Sequence, residues 1–530
     1  MAGLQRSAVS FRRQGSSGIV WDDKFLSGEL NQVANQNQEH QQQRELQEKL
    51  DINQERDVKP SSSGSITTIE RSRSNGGQRA YRTGKVSPAI EPPSPRVSAC
   101  GFCSAFGKPT KNHRKRAGFD SLLQLPQSLS ETSRPRSKRV FFVTDFGARG
   151  DGISNDTQAF GDAWKKACSF PARTRIVIPA GVTLLVHPVD LAGPCKSRIT
   201  LNISGTVVAP KDPAYWKGLN PRKWLYFHGV NHLTIDGGGT VNGMGRRWWA
   251  RSCKINPENP CRHAPTAMTF HKCKDLRVRN IRIVYGQQMH IAFTNCIRVM
   301  VFGVLVTSPA FSPNTDGIHI SASRRVEVRD SIVQTGDDCI SIVSNSSRIR
   351  IKNFACGPGH GISIGSLGKY HSSSKVHDIL VDGAFLSNTD NGLRIKTWQG
   401  GSGEASRIKF QNVLMENVSN PIIIDQYYCD SRLPCANQTS AVKVANISYI
   451  HIKGTSATEH AIVLACSDYS PCTGLYLEDI QLVLNTEEIS NSFCWEAYGS
   501  SVGLVTPPPC LSCNDSFIKQ KVPSDSLQFL

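Results

Sequence analysis

The chain has 530 residues, 38% of them hydrophobic, which is enough for a large core, and a formal net charge of +19. No stretch approaches the ~18 consecutive apolar residues of a membrane span. Met1 to Gly18 holds Arg6, Arg12 and Arg13 and lacks an apolar run, so no secretory signal is expected to open this chain.

Charge and composition divide the chain near residue 140. Residues 1–140 carry 23 Lys/Arg against 13 Asp/Glu, leaving 39 against 30 for the remainder. Between Asn35 and Glu48 only Leu46 is apolar, and polar runs follow at Ser61 to Ser63 and Arg71 to Ser74 before the proline cluster Pro92, Pro93, Pro95. Such a segment cannot bury enough apolar surface to offset its ordering entropy. Residues 1–125 are therefore expected to be a disordered basic tail and 126–140 a linker. The basic clusters at Lys111 to Arg116 and Arg134 to Arg139 are read as solvated linker, with no nucleic-acid partner.

At Phe141 the character changes. Phe142-Val143 leads into Asp145-Phe146-Gly147 and Gly150-Asp151-Gly152, and Asp156 is the expected N-cap of a helix whose apolar face is Phe160, Trp164, Ala167 and Cys168. An apolar-x-apolar-x-(Asn/Asp/Gly) pattern then recurs. It begins at Leu233, Ile235, Gly237 and continues at Leu276, Val278, Asn280; Val299, Val301, Gly303; Val326, Val328, Asp330; and Ile349, Ile351, Asn353. The later members are Ile379, Val381, Gly383; Ile408, Phe410, Asn412; Ile450, Ile452, Gly454; and Leu475, Leu477, Asp479. From the second to the sixth member the intervals are 23, 27, 23 and 30 residues, too short for a strand plus a long covering helix and right for one turn of a stacked coil. The pattern predicts an all-β parallel β-helix over 141–515, with the preceding helix as the lid on its open end and 516–530 as a C-terminal tail.

Fifteen of the 17 cysteines lie in this part. Cys253/Cys261, Cys429/Cys435 and Cys466/Cys472 are spaced to close small loops, and Cys339/Cys356 to staple adjacent coils. Seven N-x-S/T sequons, at Asn155, Asn202, Asn345, Asn417, Asn437, Asn446 and Asn514, also suit an exported domain. Only Cys100/Cys103 and Cys510/Cys513 have C-x-x-C spacing, and their separation disfavours a metal site.

Four polar segments fall in register with the repeat: Asn314-Thr315-Asp316-Gly317, Gly336-Asp337-Asp338-Cys339, Gly359-His360-Gly361 and Arg394-Ile395-Lys396. Asp316 precedes Asp338 by 22 residues and Asp338 precedes His360 by another 22. With coils ~4.8 Å apart, these side chains would line one groove. Hydrolysis of a glycosidic bond with inversion needs one carboxylic acid and one carboxylate. The adjacent Asp337 and Asp338 supply them, and repulsion is expected to keep one protonated more readily than an isolated Asp. Gly336 is expected to bend the backbone so that both reach the groove, and Gly359 and Gly361 to leave room for a sugar. Arg394 and Lys396, two apart on a strand, would clamp a substrate carboxylate. Acid, base and anion clamp together imply an acidic polysaccharide.

These motifs, intact and in order from about Val140 to Asp515, resemble those of plant polygalacturonases of glycoside hydrolase family twenty-eight. The resemblance implies a right-handed β-helix and inverting hydrolysis of α-1,4-linked galacturonic acid, with Asp337 as general acid, Asp316 and Asp338 activating water, and His360 supporting them. It also implies that Arg394, Lys396, Asn314 and Tyr428 meet the substrate, although Tyr427 adjoins the last. No metal or cofactor is expected, and the protein would act as a monomer on pectic polysaccharide in the extracellular cell wall. A pectin-degrading lyase, or a signalling or scaffold protein with an inactive solenoid, are the other readings; the four motifs supply neither a lyase's calcium-binding cluster nor its base, and the intact acid cluster argues against an inactive solenoid.

The tail resembles small plant MAP-kinase substrate proteins at Leu4-Gln5-Arg6-Ser7, Phe11 to Gly18, Trp21 to Phe25 and Pro92 to Cys103. That resemblance implies a MAP kinase as partner and proline-directed phosphorylation at Ser87 and Ser94. A secreted hydrolase joined to an intracellular signalling tail suggests two neighbouring genes merged into one chain.

Overall fold

In a computed structural model of the protein, residues 138–430 and 435–512 are described. The tail with Ser87 and Ser94, most of the 126–140 linker, Cys100, Cys103, Cys513, Asn514 and the 516–530 segment lie outside the described residues.

The fold is a parallel β-helix. Every pairing between the extended strands is parallel, and the described strands fall into sheets of 11 and 17. The early coils have two short strands in the larger sheet, such as Leu233–Asp236 and Thr240–Asn242. From Lys274–Val284 onward these fuse into one long strand, which pairs with both predecessors through Val278↔Ile235 and Ile283↔Val241. The reason is the turn residue of the repeat. Asn280, Gly303, Asp330, Asn353, Gly383, Asn412 and Asp479 all have positive φ, between 46° and 80°. One left-handed residue bends a strand without ending it, and Gly, Asn and Asp adopt that conformation at least cost. One member of the series is displaced. Pairing joins Ile408 to Ile447 and Phe410 to Tyr449, so the turn in that coil is His451 at φ 52°, and the Ile450, Ile452, Gly454 triplet is three residues out of step. A histidine in a left-handed turn gives no composition signal.

Side chains that point inward stack coil upon coil. Phe227, Phe270, Phe293, Ile320, Ile342, Ile364, Ile395 and Ile424 form one register column, all fully buried. Its three phenylalanines are stacked with centroids 4.9 and 5.4 Å apart.

The lid is the helix Thr157–Ser169, designated α1. It buries Ala159, Phe160, Ala163, Trp164 and Ala167 on the first coils, where the Trp164 indole N–H donates to Ala192 O and its ring meets Phe227 edge-on at 5.6 Å. Two expectations about α1 are refined. Asp156 occupies the N-cap position, but its buried carboxylate accepts from the Arg149 and Gly150 amides, tying the helix to the preceding loop instead of capping its own first turn. Cys168 packs against the core as expected and is in addition bonded to Cys195.

The four anticipated disulfides form: Cys253–Cys261, Cys339–Cys356, Cys429–Cys435 and Cys466–Cys472. Cys494–Cys510 is a sixth, which removes Cys510 from any C-x-x-C pairing. Cys273 and Cys296 remain as buried thiols.

Candidate active site

The four motifs meet on the smaller sheet. Its strands Ile318–Ser321, Ile340–Ile342, Ile362–Leu367 and Asn391–Thr397 are consecutive neighbours, and the outward column reads His319, Ser341, Ser363, Arg394. Asp316, Asp337, Asp338 and His360 stand in the segments that enter these strands. Asp337 and Asp338 escape strand alternation because neither lies in a strand, and the backbone bends at Gly336 and Asp337 as expected. A Cβ at Gly336 would sit 2.2 Å from Ser312 O, and one at Gly361 would sit 2.0 Å from Asn391 O. These glycines let coils stack; at Gly359 a Cβ would meet Cys339 Sγ at 2.9 Å. Close packing, more than space for a sugar, accounts for them.

Each carboxyl has its own partners. Asp338 accepts from Ser363 Oγ at 2.7 Å, Arg394 Nη2 at 2.5 Å and Lys396 Nζ at 2.9 Å. Burial alone would raise its pKa, but Lys396 and then Arg394 hold the carboxyl below the ordinary range. Asp337 receives its neighbour's amide at 2.7 Å, Asn314 Nδ2 at 3.3 Å and His360 Nδ1 at 3.2 Å. It too is strongly lowered, burial being outweighed by His360. Asp316 accepts from Ser341 Oγ at 2.6 Å, with His319 Nδ1 at 3.7 Å. Burial and then the charge of Asp337 push it up. The expected like-charge effect is present, yet it falls on Asp316 instead of Asp337, because the imidazole beside Asp337 compensates it.

His360 is held between two carboxylates, Asp337 and, through Nε2 at 3.2 Å, Asp390. Although burial opposes the charged ring, those bonds lift it to about 10. The His360–Asp337 contact thus favours the proton on the imidazole nitrogen. Arg394 and Lys396 do lie on one face, as their spacing requires, but their first partner is Asp338. The Arg394 Nε also donates to Ser363 Oγ at 2.9 Å. Of the two adjacent tyrosines, Tyr428 is the one beside the acids. Lys396 Nζ lies 5.2 Å from the centre of its ring, whereas the Tyr427 hydroxyl donates to Asp468 at 2.8 Å, away from the acids.

Sequence reasoning missed Ser341, Ser363, His319, Asp390 and His290. The first three show as a lone polar residue inside apolar-x-apolar strands, a pattern that also fits a solvated face. His290 is fully buried with Nε2 2.8 Å from Ser308 Oγ and Nδ1 3.1 Å from Asp316 O; burial lowers it to about 4, so a neutral ring braces the backbone at Asp316.

Asp337, Asp338 and His360 each place one ligand-type atom within 4.8 Å of the others. That donor set suits a cation poorly, because Asp337 and Asp390 favour the charged His360 ring and Asp338 already meets two cations.

Residues 168–497 match glycosyl hydrolases family 28, and residues 1–115 match a domain of unknown function, DUF4666. A probable polygalacturonase of Arabidopsis thaliana is 61% identical over 407 residues, covering 77% of this chain and 92% of that protein. A polygalacturonase of Persea americana is 51% identical over 352 residues, covering 66% and 76%. Among solved structures, the endo-xylogalacturonan hydrolase of Aspergillus tubingensis superposes with a TM-score of 0.59 at 22% identity, covering 70% of this chain and 100% of that one, a likeness of fold.

Proposed function

The chain belongs to glycosyl hydrolases family 28, and from that premise we propose that it hydrolyses the galacturonosyl linkages of polygalacturonate in pectin. The observation that carries this reading is the convergence of buried Asp316 and Asp338 and part-buried Asp337 with part-buried Arg394 and buried Lys396 in one outward cleft. The cations suit a sugar that carries a carboxylate, bound by Arg394 in a bidentate manner with Tyr428 beside Lys396. Asp337 donates the proton to the leaving oxygen, and Asp338 and Asp316 activate water. Because His360 holds the Asp337 carboxyl well below the ordinary range, the proton it delivers comes through the 3.2 Å contact with His360. Asp338, held in the carboxylate form, is in the state a base requires, and Asp316, whose raised pKa makes its carboxylate the more basic, serves once it ionises.

Six disulfides support action outside the cell, in the wall, and residues 141–515 form the hydrolase unit, working as a monomer. For the tail, Ser87-Pro88 and Ser94-Pro95 support phosphorylation by a MAP kinase. The test is product analysis with polygalacturonate. New reducing ends without ultraviolet absorbance support hydrolysis; an unsaturated, absorbing product would establish a lyase, and no product would leave an inactive solenoid.

A further inference from the structure

A second cationic surface lies on the larger sheet, sharing no residue with the cleft. The groove over its first strands is lined by twelve Lys/Arg against four Asp/Glu. Without Lys138 the lining carries eleven Lys/Arg against four Asp/Glu, a strong local excess for a part of the chain whose totals are 39 against 30.

The arrangement is regular. The residue just before each inward apolar pair forms a corner column, filled in successive coils by Asp275, Arg298, Arg325, Arg348, Asp378 and Arg407, all at φ between 52° and 60°. A left-handed corner is met most cheaply by Gly, Asn or Asp, and an arginine there costs backbone energy. Two positions beyond this column, Arg277, Arg350 and Lys409 point out from the same face. Ion pairs to Asp236, Asp275 and Asp378 engage Arg279, Arg298 and Arg407. Arg325, Arg348 and Arg350 are exposed and have no ion pair among the described residues. Glu327, the register partner of Arg350, reaches instead toward Arg329 at 3.9 Å. Stacking like charges ~4.8 Å apart in neighbouring coils is repulsive. Conformation and electrostatics both disfavour these residues as structural choices, so a ligand is the better account.

We propose that this face is a non-catalytic binding surface for a linear polyanion, specifically an acidic polysaccharide with a carboxylate on each sugar, so that the enzyme is held on the polymer while a second stretch of chain occupies the cleft. The naming of a polyuronate rests on the proposed function. A cation array repeating at coil spacing matches a polymer with regularly repeated charge. No Phe, Tyr or Trp lines the groove, which therefore lacks the stacking platform expected for single-stranded nucleic acid.

The test compares the full chain with an Arg325→Asn/Arg348→Asn/Arg350→Gln variant, in which Asn suits the left-handed corners. Cosedimentation with polygalacturonate is measured in an Asp337→Asn background to prevent digestion, and hydrolysis of a short oligogalacturonate in the otherwise unaltered enzyme. Loss of three exposed charge contacts should weaken polymer binding by about tenfold and flatten its salt dependence. The melting temperature should stay the same or rise, and kcat and KM for the short substrate should not change. Equal polymer affinity and equal salt dependence in the variant would overturn the proposal, as would a parallel loss on the short substrate. Tighter binding of the parent to an oligonucleotide or to anionic phospholipid vesicles would overturn the choice of a polyuronate. Arginine-dependent binding by an enzyme that cleaves no polygalacturonate would instead remove the catalytic reading and leave this surface standing.

Discussion

Asp337 and Asp338 are sequence neighbours with opposite surroundings: one is paired with a histidine that can return a proton, the other with two cations that cannot. Asp337→Asn is therefore expected to lower release of reducing ends by ~10² to 10⁴, the usual worth of general acid catalysis, with an unchanged circular-dichroism spectrum. Retention of more than half the activity would take Asp337 out of the mechanism. A second expectation concerns pH. Because the folded protein raises His360 to about 10, its ion pairs stabilise fully below the ordinary histidine value near 6.5, and that stability is lost as pH rises through about 10. His360→Gln should flatten the alkaline fall in melting temperature between those limits; an identical fall in both proteins would assign it elsewhere. The main acids, His360 and the cation pair were legible because their spacing equals the coil. The resting place of the proton was not, since it depends on burial and on partners such as Asp390 that follow no repeat.

At the scale of the element, the strand signature revealed the solenoid because alternation and a turn residue recur together at coil length. Its failure at His451, and its silence about the arginine corners, share a cause: a left-handed turn within a stacked strand can be imposed by neighbouring coils on residues that would not choose it. Glycines show the same distinction. Gly147 has φ 90° with open space where a Cβ would go, whereas Gly361 has φ 80° and would bring a Cβ to 2.0 Å from a backbone carbonyl in the next coil. Gly147→Ala should cost about 1 kcal/mol, the conformational term alone. Gly361→Ala adds a backbone clash and should cost several-fold more, with loss of activity because His360 is adjacent. Equal shifts in urea midpoint would show that coil stacking does not constrain this glycine.

Across the whole molecule, a solenoid couples each coil chiefly to its neighbours, so damage should stay local. Two disulfides test this. Cys168–Cys195, with a sequence separation of 27, ties α1 to the end of the helix, and Cys339–Cys356, with a separation of 17, lies beside Asp338 and packs against Gly359. Loop-closure entropy assigns the two bridges similar values, about 3 kcal/mol each. Their functional consequences should nevertheless differ. Replacing Cys168 and Cys195 by serine should loosen the lid, seen as faster hydrogen exchange in α1 and the first coils, while activity on polygalacturonate at 25 °C remains near that of the parent. Replacing Cys339 and Cys356 should protect the lid equally well but lower activity, because the segment holding Asp337 and Asp338 loses its anchor to the next strand. If both pairs lowered activity alike, or if exchange rose throughout the chain after the first replacement, the solenoid would be behaving as one cooperative body and the separation of lid from cleft would be wrong.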